Sequence, residues 1–318
     1  MSQIHFIGGE KGGVGKSVVA RLLAQFMVDN ALPFVGFDTD RSHGALLRFY
    51  TEFTTPVVLD QYDALDRVAE AALAQERQVV VDLAAQTHAF LARWIEDSNL
   101  IELAGDMALQ LKYWHVMDCG RDSVDLLRGL LNQFGGRMQL VIVLNELRGE
   151  AFDMLEASGE LQRARNRGAQ VVRLRKLPDG TMQKIDQFSL SFWAAINASE
   201  KEHGALGFLE RQRVKTWLTR TAADFAPLVG QPPSTITSGI STNTPPPQAP
   251  SPLAPVITQP AAYPTHSDQQ AQAQQSAPQT APFQQLQARA PFVSTIAEQP
   301  VAQQLASEHQ LRTLPYPD

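Results

Sequence analysis

The sequence predicts an α/β fold: a mostly parallel sheet flanked by helices on both faces, followed by a disordered tail. Three observations support this class. A glycine-rich loop near the start joins an apolar, strand-like run to an amphipathic helical pattern. Short apolar runs then alternate with helical patterns as far as residue 230, which is the rhythm of right-handed β-α-β units. Beyond that point Pro, Gln, Ala, Ser and Thr dominate. We therefore expect one folded domain at 1–230 and a tail at 231–318.

The elements of the predicted domain follow from apolar periodicity. The first strand, an apolar run, is predicted at 3–7, and the first helix, with a broad apolar face, at 17–27. Further strands are predicted at 34–37, 79–81, 112–117, 140–144 and 169–174, with a weaker candidate at 57–59. Helical patterns are found at 64–75, 89–102, 121–134, 150–163 and 207–225. In open sheets of this kind ligands bind beyond the carboxyl ends of the strands.

The glycine loop has the spacing of a phosphate-binding loop. It comprises Glu10, Lys11, Gly12, Gly13, Val14, Gly15, Lys16 and Ser17. Backbone N–H groups from Gly12 to Gly15 are predicted to converge on phosphate oxygens at a helix N-terminus. Lys16 is then expected to reach the β- and γ-phosphates, and the Ser17 hydroxyl to ligate Mg²⁺. The alternative is a glycine turn that only joins strand to helix.

Two positions of the loop depart from the strict pattern. Glu10 stands where that pattern has glycine, and Lys11 adds a second lysine. This form resembles the deviant Walker A loop of the ParA/MinD ATPases, whose members often lack the first glycine. The resemblance implies that Lys11 reaches across an ATP-dependent homodimer to the nucleotide of the partner. The alternative for Lys11 is a solvated lysine beside an anion site.

Carboxylates follow two of the predicted strands. Asp38 and Asp40 come after the second strand, and Asp82 ends the 79–81 run. Such carboxylates can hold a Mg²⁺ shell or orient an attacking water. The resemblance gives water positioning to Asp40, support of Lys16 and the metal shell to Asp38, and the Walker B metal contact to Asp82. Each could instead be a turn or cap residue.

Two departures from the family pattern follow those carboxylates. Arg41 replaces a frequent proline, and Leu83, Ala84 and Ala85 stand where many members have glycine or proline. Both departures lie in loops that respond to nucleotide in the family.

A base-binding role is assigned to the ends of two later strands. Asn145 closes the 140–144 strand, and its amide offers both a donor and acceptors to an adenine edge. The family resemblance adds Leu177 and Pro178 as weaker candidates for contacts with the base. Asparagine at a strand end is also a common turn former, so this alternative stays open.

Charge and cysteine content limit the function classes. The net charge of −6 over 318 residues argues against a globally basic nucleic-acid binder. Six basic residues could still form a local patch that contacts DNA non-specifically, or simply a solvated face: Arg163, Arg165, Arg167, Arg173, Arg175 and Lys176. The single cysteine, Cys119, predicts a reducing cytoplasm and argues against an iron–sulfur relative that needs two cysteines per subunit. His115 beside it is too little for a zinc site.

Membrane association is not expected, because the sequence contains no long apolar run or export signal. The 207–225 helix carries an apolar stripe, which either packs on the sheet or grips a membrane surface. Within the tail, 290–296 and 311–316 are apolar enough to be short docking motifs. Alternatively they are scattered apolar residues in a solvating linker.

The motifs together predict a Mg²⁺-dependent ATPase switch. The likeness over residues 1–225 is greatest to TraL- and StbB-type members of the ParA/MinD group, which are linked to plasmid conjugation and stability. It implies ATP and Mg²⁺ as cofactors, a homodimer, and a protein partner that regulates hydrolysis. Three alternatives stay open: a nucleotide-binding adaptor or scaffold with little hydrolysis, an ATPase that positions another cellular cargo, and a small-molecule ligase or kinase of the same superfamily.

Overall fold

The computed structural model describes residues 1–40, 44–199 and 204–229. Its strands form one sheet in the order β3-β2-β4-β1-β5-β6-β7, and every pairing is parallel. The strands are β1 Gln3–Gly8, β2 Phe34–Asp38, β3 Thr54–Pro56, β4 Gln78–Asp82, β5 Gln110–Met117, β6 Gln139–Asn145 and β7 Gln170–Leu174. Arg41 and the predicted 231–318 tail lie outside the described residues, so the domain boundary at 230 stays a prediction.

Helices cover both faces of the sheet, which confirms the predicted fold class. They are α1 Lys16–Asp29, α2 Ala45–Phe49, α3 Tyr62–Ala74, α4 His88–Asp97, α5 Leu100–Asp106, α6 Arg121–Phe134, α7 Asp153–Ser158, α8 Glu160–Asn166, α9 Asp179–Gln187, α10 Phe192–Asn197 and α11 Phe208–Val229. One apolar core lies under α3 to α8, and a second lies under α1, α2 and α9 to α11.

The central strands supply side chains to both cores. In β6, Leu140, Ile142 and Leu144 enter the first core, while Val141 and Val143 enter the second. This alternation follows from the two-residue period of a strand, and burial on both faces explains why the strand is continuously apolar.

The edge strand differs from its prediction. The sequence suggested 57–59, but Thr54–Pro56 pairs with β2 instead. Two threonines and a proline lack the apolar signal of a buried strand. Proline is tolerated because, among the described residues, β3 has a neighbouring strand on one side only. Val57 follows the strand and is buried in the core.

The prediction of one helix at 89–102 and one at 150–163 was wrong, because each of these regions contains two helices. Asn99, with φ of +47°, separates α4 from α5, and Gly159, with φ of +75°, separates α7 from α8. Residues in the left-handed region end a helix and change the direction of the chain. The short helices α2, α9 and α10 were not predicted, since each spans too few residues for a clear periodicity.

The apolar stripe of α11 packs against the sheet. Val214, Trp217, Leu218 and Phe225 are all buried in the second core. Among the described residues, no helix is both long and apolar enough to cross a membrane.

Candidate functional site

The loop between β1 and α1 forms an open backbone cradle at the carboxyl edge of the sheet. Gly13 and Gly15 have φ angles of +72° and +96°, which favour glycine. A Cβ at Gly15 would lie 2.2 Å from Asn145 Nδ2, whereas one at Gly12 would meet nothing within 4 Å. The first N–H groups of α1 have no partners within the helix, and Gly15 supplies no side-chain cap. This arrangement suits an anion.

Lys16 lies folded over the loop. Its Nζ donates a hydrogen bond to the Lys11 carbonyl oxygen at 3.1 Å, and the residue is only 8% exposed. Burial lowers the pKa of Lys16, while the charges of Asp82, Glu10 and Asp40 oppose that shift. A cation is thereby positioned at the rim of the cradle.

Asp82 is the most perturbed carboxylate of this edge. It is almost fully buried, and the Ser17 side chain forms a hydrogen bond with it. Burial, reinforced by the charge of Asp38, raises the pKa of Asp82 to about 7. Within the described part of the chain its Oδ1 has no hydrogen-bond partner. An unpartnered buried carboxylate oxygen beside a serine hydroxyl fits a hard cation such as Mg²⁺.

Asp38 lies directly beside Asp82, because the two residues are paired in the β2–β4 register. Asp38 Oδ1 accepts from the Asp40 backbone N–H at 3.0 Å, and Oδ2 accepts from the Leu47 N–H at 2.9 Å. Burial raises the pKa of Asp38. The hydrogen bond to Asp40 fixes the backbone of that residue next to the buried pair.

Few side chains are available to hold a metal. No group of three or more His, Cys, Asp or Glu side chains among the described residues could bind one. Mg²⁺ typically uses one or two carboxylates together with substrate phosphates and water. Ser17 and Asp82, supported by Asp38, are consistent with that requirement.

Asn145 braces the phosphate loop. Its Nδ2 donates to the Val14 carbonyl oxygen at 2.8 Å, and its Oδ1 accepts from the Leu147 N–H at 3.2 Å. Part of its amide is therefore used within the protein, and the adenine contact stays a prediction. Pro178 immediately precedes α9 and, with Leu177, lines a cavity of about 300 Å³. Its contact with the base also stays a prediction.

Lys11 is paired within its own subunit. Its Nζ lies 3.1 Å from Asp118 Oδ2 and 3.8 Å from Asp122 Oδ2. Asp118 is buried and also accepts from Ser123 Oγ at 2.6 Å and from the Gly120 N–H at 3.0 Å. Sequence reasoning missed Asp118. The signal was present, because an acidic residue follows the β5 strand just as others follow β2 and β4.

Glu10 connects the loop to the segment that follows β4. Its Oε1 accepts from the backbone N–H of His88, the first residue of α4, at 2.7 Å. A carboxylate is favourable there, since the first N–H groups of a helix lack partners and the helix dipole is positive. The departure from glycine at position 10 therefore has a structural role, which the sequence pattern did not reveal.

The structure separates the basic residues that were grouped in sequence. Arg163 pairs with Glu160 of the same helix at 3.1 Å and also donates to Asn132 Oδ1 of α6, while Arg167, directly after α8, donates to the Leu131 carbonyl oxygen of α6, so both connect α8 to α6. Other basic residues surround the cavity beside Pro178. They are Arg173, Arg175, Lys176, Arg213 and Arg220. DNA contact by either group stays a prediction.

Comparisons with known proteins agree with the motif resemblance. No protein-family model matches the chain. Two curated Escherichia coli proteins named TraL are 26% and 25% identical over 171 residues, which cover 49% of this chain and 71% of each relative.

Similarity to solved structures is weaker. An Archaeoglobus fulgidus nucleotide-binding protein in complex with ADP has 15% identity and a TM-score of 0.38, covering 58% of this chain and 86% of that one. A Borrelia burgdorferi plasmid partition protein has 12% identity and a TM-score of 0.37, covering 70% and 98%. Scores of this size assign no function.

Proposed function

We propose that this chain is a Mg²⁺-dependent ATPase switch of the ParA/MinD type, which dimerises with ATP and acts in plasmid transfer, partition or stability. One observation carries the proposal. The glycine cradle, Lys16 and the Ser17–Asp82 pair lie together at the carboxyl edge of a parallel sheet, and a buried Asp82 oxygen there has no partner among the described residues.

The loop is suited to a polyphosphate. The N–H groups from Gly12 to Gly15 and the start of α1 would hold phosphate oxygens, and Lys16 would exchange the Lys11 carbonyl for a phosphate. Ser17 and Asp82 would hold Mg²⁺, which supplies charge neutralisation to the phosphates.

Asp40 is proposed to orient the attacking water. Its backbone N–H is fixed by Asp38, which is itself anchored to the Leu47 N–H at the start of α2. Hydrolysis of this type depends on positioning and charge rather than on a covalent intermediate. A small displacement of the Asp38 anchor would therefore slow turnover.

Base recognition is assigned to Asn145 and Pro178. The Asn145 amide has hydrogen-bonding capacity beyond its bonds to Val14 and Leu147, since an amide offers two donors and two acceptor sites. One side chain would then link the base to the backbone of the phosphate loop.

Lys11 is proposed to contact the nucleotide of a second subunit. In the single chain its ammonium is paired with Asp118, so it must leave that carboxylate to reach a partner. The negative charge of ATP on the other subunit would compensate for the broken pair. Dimerisation would thus depend on the presence of nucleotide.

The biological branch is proposed from sequence similarity. Similarity to TraL favours plasmid conjugation, with partition close behind. An unidentified protein partner would regulate hydrolysis, and the basic residues around the Pro178 cavity could contact DNA phosphates. We also propose that the protein acts in the cytoplasm.

A nucleotide-binding adaptor with little hydrolysis is the second candidate. It is favoured by the fixed position of the segment after β4. Glu10 binds the start of α4, Thr39 Oγ accepts from the Ala84 N–H at 2.7 Å, and the Leu83 N–H donates to Ile7. A segment fixed in this way has less freedom to respond to hydrolysis.

Parallel measurements of ATP binding and phosphate release separate the two candidates. For the switch we expect saturable ATP binding together with slow, Mg²⁺-dependent turnover, which EDTA abolishes. Tight binding with turnover indistinguishable from a buffer control, in the presence of Mg²⁺, would contradict the switch and favour the adaptor.

A further inference from the structure

Arg148 places a further cation beside the phosphate loop. It is the last residue of a single helical turn, Glu146–Arg148, that directly follows Asn145. Its Nη2 lies 3.2 Å from the position that a Cβ on Gly13 would take, so the guanidinium lies directly against this glycine of the loop. The side chain is 51% exposed, and a ligand can therefore reach it. No role for Arg148 was predicted from the sequence.

Asp118 faces the other end of the guanidinium. Arg148 Nη1 lies 3.5 Å from Asp118 Oδ2, and Lys11 Nζ lies 3.1 Å from the same oxygen. The Arg148 pair is longer than a charge-assisted hydrogen bond, which measures about 2.7–2.9 Å, so it directs the side chain without using up its donors. Asp118 is itself fixed by hydrogen bonds from Ser123 and Gly120. One end of the guanidinium thus faces a buried carboxylate, and the other end faces the loop.

The place of Arg148 in the chain indicates which phosphate it would meet. Lys16, at the start of α1, is assigned to the β- and γ-phosphates, whereas Asn145 is assigned to the base. Arg148 follows Asn145 by three residues, so it approaches the loop from the side that is assigned to the base. The phosphate nearest to the base is the α-phosphate. A planar guanidinium matches the geometry of phosphate oxygens, which a single ammonium does not.

We propose that Arg148 bridges Asp118 and the α-phosphate of a bound nucleotide. Its Nη1 stays beside the carboxylate, while its Nη2 donates to a phosphate oxygen. This inference rests on the proposed nucleotide site, but on neither the hydrolysis nor the dimer. The bridge also leaves Asp118 with a cation when Lys11 moves to a second subunit, and an unpaired buried carboxylate would be costly. Arg148 is therefore a binding residue, and Asp118 positions it.

Binding of ADP and AMP to the full chain tests the proposal, with ADP measured by calorimetry and AMP by its competition with ADP. Neither nucleotide has a γ-phosphate to lose, and both contain the α-phosphate. We expect Arg148→Ala to weaken the binding of ADP and AMP by the same factor, about tenfold or more, because each loses one charge-assisted hydrogen bond to the same phosphate.

The matched control is Arg137→Ala. Arg137 precedes β6, at the opposite end of the strand that leads to Arg148, is 43% exposed and also pairs with a carboxylate, that of Glu96. Its removal should change both affinities by less than about twofold, because a surface ion pair far from the loop contributes little.

The ratio of the two losses separates phosphate binding from support of the loop. If Arg148 only maintained the shape of the loop, its removal would weaken ADP more than AMP, because ADP uses more of the N–H groups of the loop. A larger loss for ADP, or affinities equal to those of Arg137→Ala, would overturn the role of Arg148 and leave nucleotide binding by the wild type intact. No binding of ATP, ADP or AMP by the wild type would overturn the proposed function together with this inference.

Discussion

Replacing Lys16 with alanine is expected to reduce ATP turnover by about a thousandfold, the upper part of the range for loss of one group that stabilises developing charge. The structure gives a local reason. Lys16 is the cation at the rim of the cradle, and the carboxylates of Glu10, Asp40 and Asp82 all act on it. Without its ammonium those negative charges would repel the phosphates. Phosphate release and ATP binding should be measured together, since both are expected to fall.

A matched control for Lys16→Ala is Lys184→Ala. Lys184 is half-exposed on α9 and pairs with Glu210. Its loss should leave turnover within about twofold, because a surface ion pair contributes little. Turnover in Lys16→Ala close to that of Lys184→Ala would contradict the proposed role of the loop.

Asp82→Asn is expected to abolish Mg²⁺-dependent turnover and yet to stabilise the ligand-free protein at pH 8. Burial raises the pKa of Asp82 from 3.8 to about 7. A raised pKa means that the folded protein binds the proton more tightly, so the penalty for ionisation grows as the pH rises from 3.8 to 7. At pH 7 and above that penalty is about 4 kcal/mol, and the variant no longer has it. The asparagine amide would be incompletely hydrogen-bonded, however, which costs about 1–3 kcal/mol and offsets part of the gain.

The net gain in the free energy of unfolding is therefore about 2 kcal/mol at pH 8, falls to zero at about pH 5 and becomes a loss of about 1 kcal/mol toward pH 4, where the ionisation penalty has gone but the cost of the amide remains. Denaturant unfolding of wild type and variant at both pH values measures it. Asp38→Asn is the control, because both of its oxygens accept backbone N–H groups and an amide would place a donor against one of them. Asp38→Asn should destabilise the protein. Equal destabilisation by both variants at pH 8 would contradict this account of Asp82.

The central strands of the sheet could be predicted from the sequence because they are buried on both faces. Continuous apolar runs such as that of β6 have few alternative interpretations. Edge and loop features were harder to predict. β3 has a polar sequence and, in the part of the chain that the structure describes, a single neighbouring strand. The predicted 89–102 and 150–163 helices contain breaks that depend on the backbone conformation at Asn99 and Gly159.

The site was predictable where function follows from position along the chain. The loop and the strand-end carboxylates Asp38 and Asp82 meet as the parallel topology requires. Contacts between distant residues were not predictable. Glu10 with the start of α4, and Lys11 with Asp118, join residues 78 and 107 positions apart, and no local pattern encodes either pair.

The proposed contact of Lys11 with a second subunit is the central claim, and molecular mass in solution tests it most directly. The Asp40→Ala variant, in which hydrolysis should be blocked, is sized by light scattering with ATP and Mg²⁺, with ADP, and again after adding Lys11→Ala. We predict a dimer with ATP, a monomer with ADP, and a monomer with ATP once Lys11 is replaced. A monomer for Asp40→Ala under every condition, or an ATP-dependent dimer that persists without Lys11, would contradict the account.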